Sequence, residues 1–268
     1  MILYHASSSY YSMIARLALT AAAVPYQGRR MDIHLAKEQL ADWYVKINPH
    51  MTVPSLVDGS NLLIDSRDIL RFAAAHAGSN WADQNPAYSQ AIEWIVDQHY
   101  EISIEQLTFG KALLKIAPAR VIVPRMLRGI IKKMEGELNT TSDPKTLQAV
   151  QAKINLNRHR LAYFTEGDLV EKLESQRQEV TRFLETLPAL ANGLSVSSPS
   201  QMLFGEQASS ADIVTAVLLG RLKMIGEYQL VKPGSALDLW FERMQQSAAF
   251  KQADIWLRFQ AWRILLKR

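Results

Sequence analysis

The 268-residue chain contains no cysteine. That absence excludes disulfides, thiolate metal sites and a cysteine nucleophile together. It also fits a reducing cytoplasm, the location expected from the sequence. No window approaches the roughly 18 uninterrupted apolar residues that a transmembrane helix needs. The opening run MILYHASSSYY has neither a charged n-region nor a long apolar h-region, so no secretory signal is expected. The six histidines are scattered without a His-x-x-x-His pair, and no metal site is expected. A glycine-rich phosphate loop is missing too. Charge of one sign is scarce: 30 Lys and Arg against 26 Asp and Glu leave a net +4, which points to neither nucleic acid nor membrane. The remaining composition, 48% apolar and 21% charged, is that of a soluble globular protein, with length enough for one large or two ordinary domains.

The most informative stretch is MTVPSLVDGSNLLIDSRDIL, residues 51–70. Val53, Leu56 and Val57 form a short β-prone run around Pro54. Asp58-Gly59 signals a tight hairpin, because glycine accepts the positive φ that such turns need. Leu62, Leu63 and Ile64 give the return strand. Asp65-Ser66 then opens a helix with Ile69, Leu70, Phe72 and Ala73 at helical spacing. Pro54 stands at a strand start, where a proline is permitted and a cis peptide can occur. A cis bond there would turn the N–H and C=O of Val53 outward to pair with an extended peptide. Ser66 and the amides behind it form a helix N-terminus suited to a carboxylate. These features describe either a receptor for a small acidic peptide or an ordinary hairpin and N-cap.

In chain order, Ile2–His5 reads as a strand, residues 6–9 as a serine-rich loop, and Tyr10–Ala23 as a helix with Ile14, Leu17, Ala18 and Ala21 on one face. Tyr26–Ile33 reads as a second strand, Lys37–Val45 as a short helix and Asn48-Pro49 as a turn. The order βαβ, α, ββ, α is a thioredoxin-like plan with a mixed sheet. Residues 77–86 carry linker signals. Helical runs follow at about 87–116, 119–138, 144–163, 166–187, 209–225, 235–247 and 250–266, with a polar loop at 195–200. The expected fold is therefore α+β, a thioredoxin-like domain over 1–77 followed by an all-helical domain over 87–268. Ser209 and Asp212 form a capping box, with Asp where Glu or Gln is commoner. Lys111, Lys115, Arg120, Arg125, Arg128, Lys132 and Lys133 form a basic run without an acid. It reads as a solvated face, or as a wall for an anionic co-substrate or a surface that meets acidic lipid. The run 256–268 mixes aromatic and basic residues; packing back on the domain is favoured over a membrane interface.

The spacing VPxL, eight residues, then DS before an apolar helix resembles the glutathione-binding half of glutathione transferases. DWYVKINPHMTVPSL and FGEQASSADIVTAVLL resemble further parts of that family, and DWYVKINP is similar to its bacterial aryl-ether-cleaving members. The long helical segment at 117–165 resembles the branch of tetrachlorohydroquinone-dehalogenase-like and ganglioside-induced differentiation-associated proteins. The resemblance implies glutathione as co-substrate, an apolar electrophile as second substrate, a detoxifying role and a homodimer, with no nucleic acid as partner. Aligning LYHASSSYYSMIARLAL through Arg16 puts Ser9 at the family's serine or cysteine position, where a hydroxyl would stabilise the glutathione thiolate. Ser7, Ser8, Tyr10 and Tyr11 are neighbouring hydroxyls. Serine in place of cysteine implies thiolate transfer to an electrophile and disfavours thiol–disulfide exchange.

Val53, held by Pro54, would pair with the cysteinyl unit, and Asp65 and Ser66 would bind the γ-glutamyl end. Thr52 replaces the usual Lys or Gln before the Val-Pro pair, which leaves His50 or Thr52 for the glycyl carboxylate. Arg67 is a further charge partner, and His5 is structural. Tyr100, Phe109, Met126 and Tyr163 are candidates for the electrophile site, although residues of this kind are more often core. A glutathione conjugating or exchanging enzyme is the leading expectation. Ether cleavage, dehalogenation and a non-catalytic glutathione- or membrane-binding member are the alternatives.

Overall fold

The computed structural model describes residues 1–139, 142–191, 193 and 201–265. The polar loop expected at 195–200 and the last three residues of the basic–aromatic run lie outside these. Two compact units result. One contains Met1–Lys37, Val53–Ile102 and Val180–Arg268, and the other Glu38–Thr52 and Ser103–Glu179.

The first unit holds the sheet. Its strands are β1 (Ile2–His5), β2 (Gln27–Arg30), β3 (Ser55–Asp58) and β4 (Asn61–Leu63), in the order β2-β1-β3-β4. The pair β1–β2 is parallel, while β1–β3 and β3–β4 are antiparallel. The hairpin turns at Gly59, whose φ of 58° is the positive value that Asp58-Gly59 implied. Asp58 pairs with Asn61, so the loop is only two residues long. The β2 strand is shorter than the sequence suggested, ending at Arg30.

Helices α1 (Tyr10–Ala21) and α3 (Ser66–Ala77) pack against each other in this unit; the short α2 (Asp42–Val45) belongs to the other unit. The sheet followed by helices is the thioredoxin-like plus helical arrangement that the sequence pattern implied. The sequence suggested one helix over 87–116. The structure has two, α4 (Ser89–Glu101) and α5 (Ile104–Lys115), because Ile102 takes an extended conformation with ψ 121° and is buried.

The remaining helices are α6 (Ala119–Leu138), α7 (Pro144–Thr165), α8 (Leu169–Leu190), α9 (Ser210–Ile225), α10 (Ala236–Gln246), α11 (Ala248–Gln252) and α12 (Ala261–Leu265). A single helix over 250–266 does not form. Asp254 has φ 54°, and the carbonyls of Ala253 and Asp254 accept from the Arg16 guanidinium, so they are not continued in a helical ladder.

Every residue of α9 from Ser210 to Leu222 is buried, and α9 packs on α1 and α4 as the spine of its unit. Its capping box is present as the sequence implied. The Asp212 carboxylate accepts from Ser209 N at 2.9 Å, Ser209 Oγ at 2.5 Å and Leu203 N at 2.8 Å. Asp212→Ala leaves these donors without their acceptor and is expected to cost about 2–4 kcal/mol. Urea unfolding checks this, and a change below about 0.5 kcal/mol would refute it. Burial pushes this carboxyl up from 3.8 to about 6, so the folded state binds its proton more tightly than the unfolded chain does. The contribution of Asp212 to stability therefore declines as the pH rises from about 4 to about 6.

In the second unit α6 packs on α5 and α7. Leu40, Met51, Ile131, Met134, Val150 and Ile154 form one core cluster there. Arg120 and Lys133 of the basic run serve this unit directly. Arg120 donates to the carbonyls of Leu113 and Leu114 at the end of α5, and Lys133 donates to Leu40 O. Arg125, Arg128 and Lys132 are exposed, as a solvated face requires. No helix among the described residues is long and apolar enough to cross a membrane.

Candidate functional site

Ser9 is the N-cap of α1. Its backbone is extended, and Oγ accepts from Ser12 N at 3.3 Å. A hydroxyl has one proton and two lone pairs, so this use as an acceptor leaves the Ser9 proton available to donate at the head of α1. The loop before it is held through its carbonyls. Arg16 donates to Ala6 O and Ser7 O, each at 3.2 Å, and Arg221 donates to Ser8 O at 3.0 Å. Ser12 Oγ accepts from Ala6 N.

The neighbouring hydroxyls divide. Ser8 Oγ pairs with His34 Nε2 at 2.7 Å. Tyr10 is buried, and its Oη lies 2.5 Å from His99 Nε2. Burial pushes the Tyr10 phenol well above its usual range and holds His99 down to about 3, so both are neutral. Tyr10 then donates to Nε2. His99 carries its proton on Nδ1, which meets no acceptor among the described residues. Tyr11 stacks on Tyr100 with ring planes 9° apart.

His5 accepts from Arg16 through Nδ1 at 3.2 Å. Burial first, then Arg16 and Arg30, lower it to about 3, so it is neutral at neutral pH, with its Nδ1 lone pair taken by Arg16.

The Val53–Pro54 peptide bond is cis. Asp65 is the N-cap of α3, accepting from Arg67 N at 2.7 Å. Ser66, the first residue of α3, is buried, and its Oγ lies 2.9 Å from Tyr100 Oη. Arg67 forms an ion pair with Asp97 of α4, and its guanidinium lies over the Tyr100 ring at 5.6 Å. No group of three or more His, Asp or Glu suited to a metal ion occurs among the described residues.

Ser9, Val53, Pro54, Asp65 and Ser66 all belong to the first unit, and His50 and Thr52 to the second. There Asn48 organises the segment. Its Nδ2 donates to Thr52 O and Oγ1, and its Oδ1 accepts from His50 N. Lys153 Nζ donates to Met51 O at 3.0 Å and His50 O at 3.4 Å. Burial, and then Arg160, push this lysine down to about 8. Of the electrophile-site candidates, Tyr100 contacts Ser66, whereas Phe109 and Tyr163 both pack on Phe164 in the second unit. Sequence reasoning missed His99, Asp97 and Lys153. Their partners are distant in sequence, and no local spacing announces them.

The first unit thus brings together the cis Val53–Pro54 bond at the start of β3, the serine-capped α1 and the Ser66-headed α3 around a four-stranded mixed sheet. Residues 3–81 match the family described as glutathione S-transferase, N-terminal domain. The tetrachloro-p-hydroquinone reductive dehalogenase of Sphingobium chlorophenolicum is 25% identical over 254 residues, covering 94% of this chain and 95% of that protein. The crystal structure of the β-etherase LigF from Sphingobium sp. strain SYK-6 superposes with a TM-score of 0.60 at 17% identity, covering 94% of this chain and 97% of its own. A glutathione transferase family member from Pseudomonas fluorescens, solved with two glutathione molecules bound, gives a TM-score of 0.59 at 16% identity, covering 95% of this chain and 92% of its own.

Proposed function

We propose that the protein is a glutathione-dependent enzyme that conjugates or exchanges glutathione on an apolar electrophile, with Ser9 donating to the thiolate. The supporting observation is the cap geometry of Ser9. Its Oγ accepts from Ser12 N and keeps its proton for a sulfur at the start of α1. A free thiol of pKa about 8.5 is mostly protonated at neutral pH. A hydroxyl donor beside a helix N-terminus favours the nucleophilic anion. His34 and His99 engage Ser8 and Tyr10, which favours Ser9 over those two.

In this reading Ser66 donates to the γ-glutamyl carboxylate at the head of α3. Asp65 engages Oδ1 with its own helix and keeps its other oxygen for the ammonium. Val53 serves the cysteinyl unit beside Pro54. The assignment of His50 and Thr52 to the glycyl carboxylate rests on the sequence pattern. A homodimer in a reducing cytoplasm completes the proposal, with residues 1–77 and 87–268 as its domains.

Retention on immobilised glutathione, and a thermal shift with millimolar glutathione, are the test. Ser66→Ala is expected to weaken binding about tenfold or more, since it removes a donor to a charged group. No retention and no shift for the unmutated chain would overturn the proposal. A second reading, reductive dehalogenation, is favoured by the full-length similarity to the Sphingobium dehalogenase. Replacing a carbon–halogen bond by carbon–hydrogen needs two electrons. With no cysteine in the chain, a second glutathione would have to attack the first thioether and leave as the disulfide. Formation of that disulfide distinguishes the two reactions.

A further inference from the structure

We infer that Tyr100 is a positioning residue for the γ-glutamyl carboxylate, acting through Ser66. The inference rests on the glutathione reading above and deepens it. Ser66 Oγ and Tyr100 Oη are 2.9 Å apart, so one of the two hydroxyls donates to the other. Tyr100 is held as a neutral phenol. Burial raises it above its ordinary range, and the bond to Ser66 only partly opposes that.

With an anion at Ser66, a single arrangement uses both protons: Tyr100 donates to Ser66 Oγ, and Ser66 donates to the carboxylate. The reverse arrangement points the Ser66 proton at the phenolic Oη and presents the carboxylate with a lone pair of Ser66. A hydroxyl that accepts one hydrogen bond also donates a stronger one, because each bond polarises the next. Tyr100 thus orients the Ser66 proton and sharpens it.

The surroundings keep the phenol in place. One face of Tyr100 stacks on Tyr11, with ring centroids 6.2 Å apart and planes within 9°. His99 meets it edge-on at 5.0 Å. The Arg67 guanidinium lies over the ring at 5.6 Å and is paired with Asp97, one helical turn before Tyr100 on α4. Stacking and cation–π contacts of this kind restrict the ring without consuming its hydroxyl. They also link two parts of the proposed site: Tyr11 follows Ser9 by two residues, and Tyr100 bonds Ser66.

The test is Tyr100→Phe, which removes Oη and keeps the ring. KM for glutathione is expected to rise about three- to tenfold, while kcat at saturating glutathione changes less than about twofold. In a double-mutant cycle, Ser66→Ala should cost less affinity in the Tyr100→Phe background than in the parent, since the two hydroxyls act as one donor. Unchanged KM in Tyr100→Phe, or strictly additive losses in the cycle, overturns the inference and leaves the glutathione reading standing. A parent chain that binds no glutathione by calorimetry overturns both.

Discussion

An Arg16→Met variant is expected to unfold about 3–5 kcal/mol more readily than the parent chain. Arg16 is buried in α1 and directs its guanidinium at five acceptors. Nε donates to Ala253 O at 2.7 Å and Nη2 to Asp254 O at 3.0 Å. The remaining bonds run to Ala6 O, Ser7 O and His5 Nδ1, each at 3.2 Å. Burial lowers this arginine to about 10, which still leaves it charged at neutral pH. Methionine fills the space but donates nothing, so the carbonyls lose their partner where water cannot replace it. The cost comes mainly from those abandoned carbonyls, since the net worth of a buried charge is small once its desolvation is counted. Urea unfolding with an unchanged m-value is the measurement. A loss below about 1 kcal/mol would mean that water reaches those carbonyls after all. Activity should fall alongside stability, because the same guanidinium fixes the loop that presents Ser9.

Ser9→Ala is expected to reduce glutathione turnover by about a hundredfold, the scale seen when one preorganised donor to a developing anion is removed. Bound glutathione should titrate closer to the ordinary thiol value of about 8.5, read from thiolate absorbance across pH. Ser9 also caps α1, so the alanine variant loses about 1 kcal/mol of stability as well. Ser9→Gly separates the two effects, because glycine at an N-cap costs only a few tenths of a kcal/mol. Both variants should lose turnover alike and differ in stability. A Ser9→Ala enzyme that keeps more than about a third of its turnover would move the assignment to Ser7 or Tyr11.

The parts of the fold that were legible in the sequence are those set by neighbours in the chain. Asp58-Gly59 turns because glycine accepts a φ of 58°. Ser209 and Asp212 cap α9 because their spacing places each side chain on the other's backbone. The thioredoxin-like plan followed from the same kind of local pattern. What was not legible depends on partners far along the chain. Periodicity alone carried the expected helix over 250–266, and it breaks where Arg16, 237 residues earlier, takes Ala253 O. Tyr10 stood among the candidate hydroxyls, but its commitment to His99, 89 residues away, leaves no local trace. Ser8 is decided in the same way by His34. Five hydroxyls in a row look alike in sequence, and they differ only in the company the fold gives them.

The bonds from Arg16 to residues 253 and 254 also bear on how the chain is made. The first helix leaves the ribosome before two of the acceptors for its buried cation, which are encoded 237 and 238 residues later. At roughly 5–20 residues per second the nascent segment waits on the order of tens of seconds for them. Over most of that interval α1 lacks two of the helices it packs on, α9 and then α11. The segment that matches a family module is thus not a module of folding: two of its ties wait for residues more than two hundred positions further along the chain.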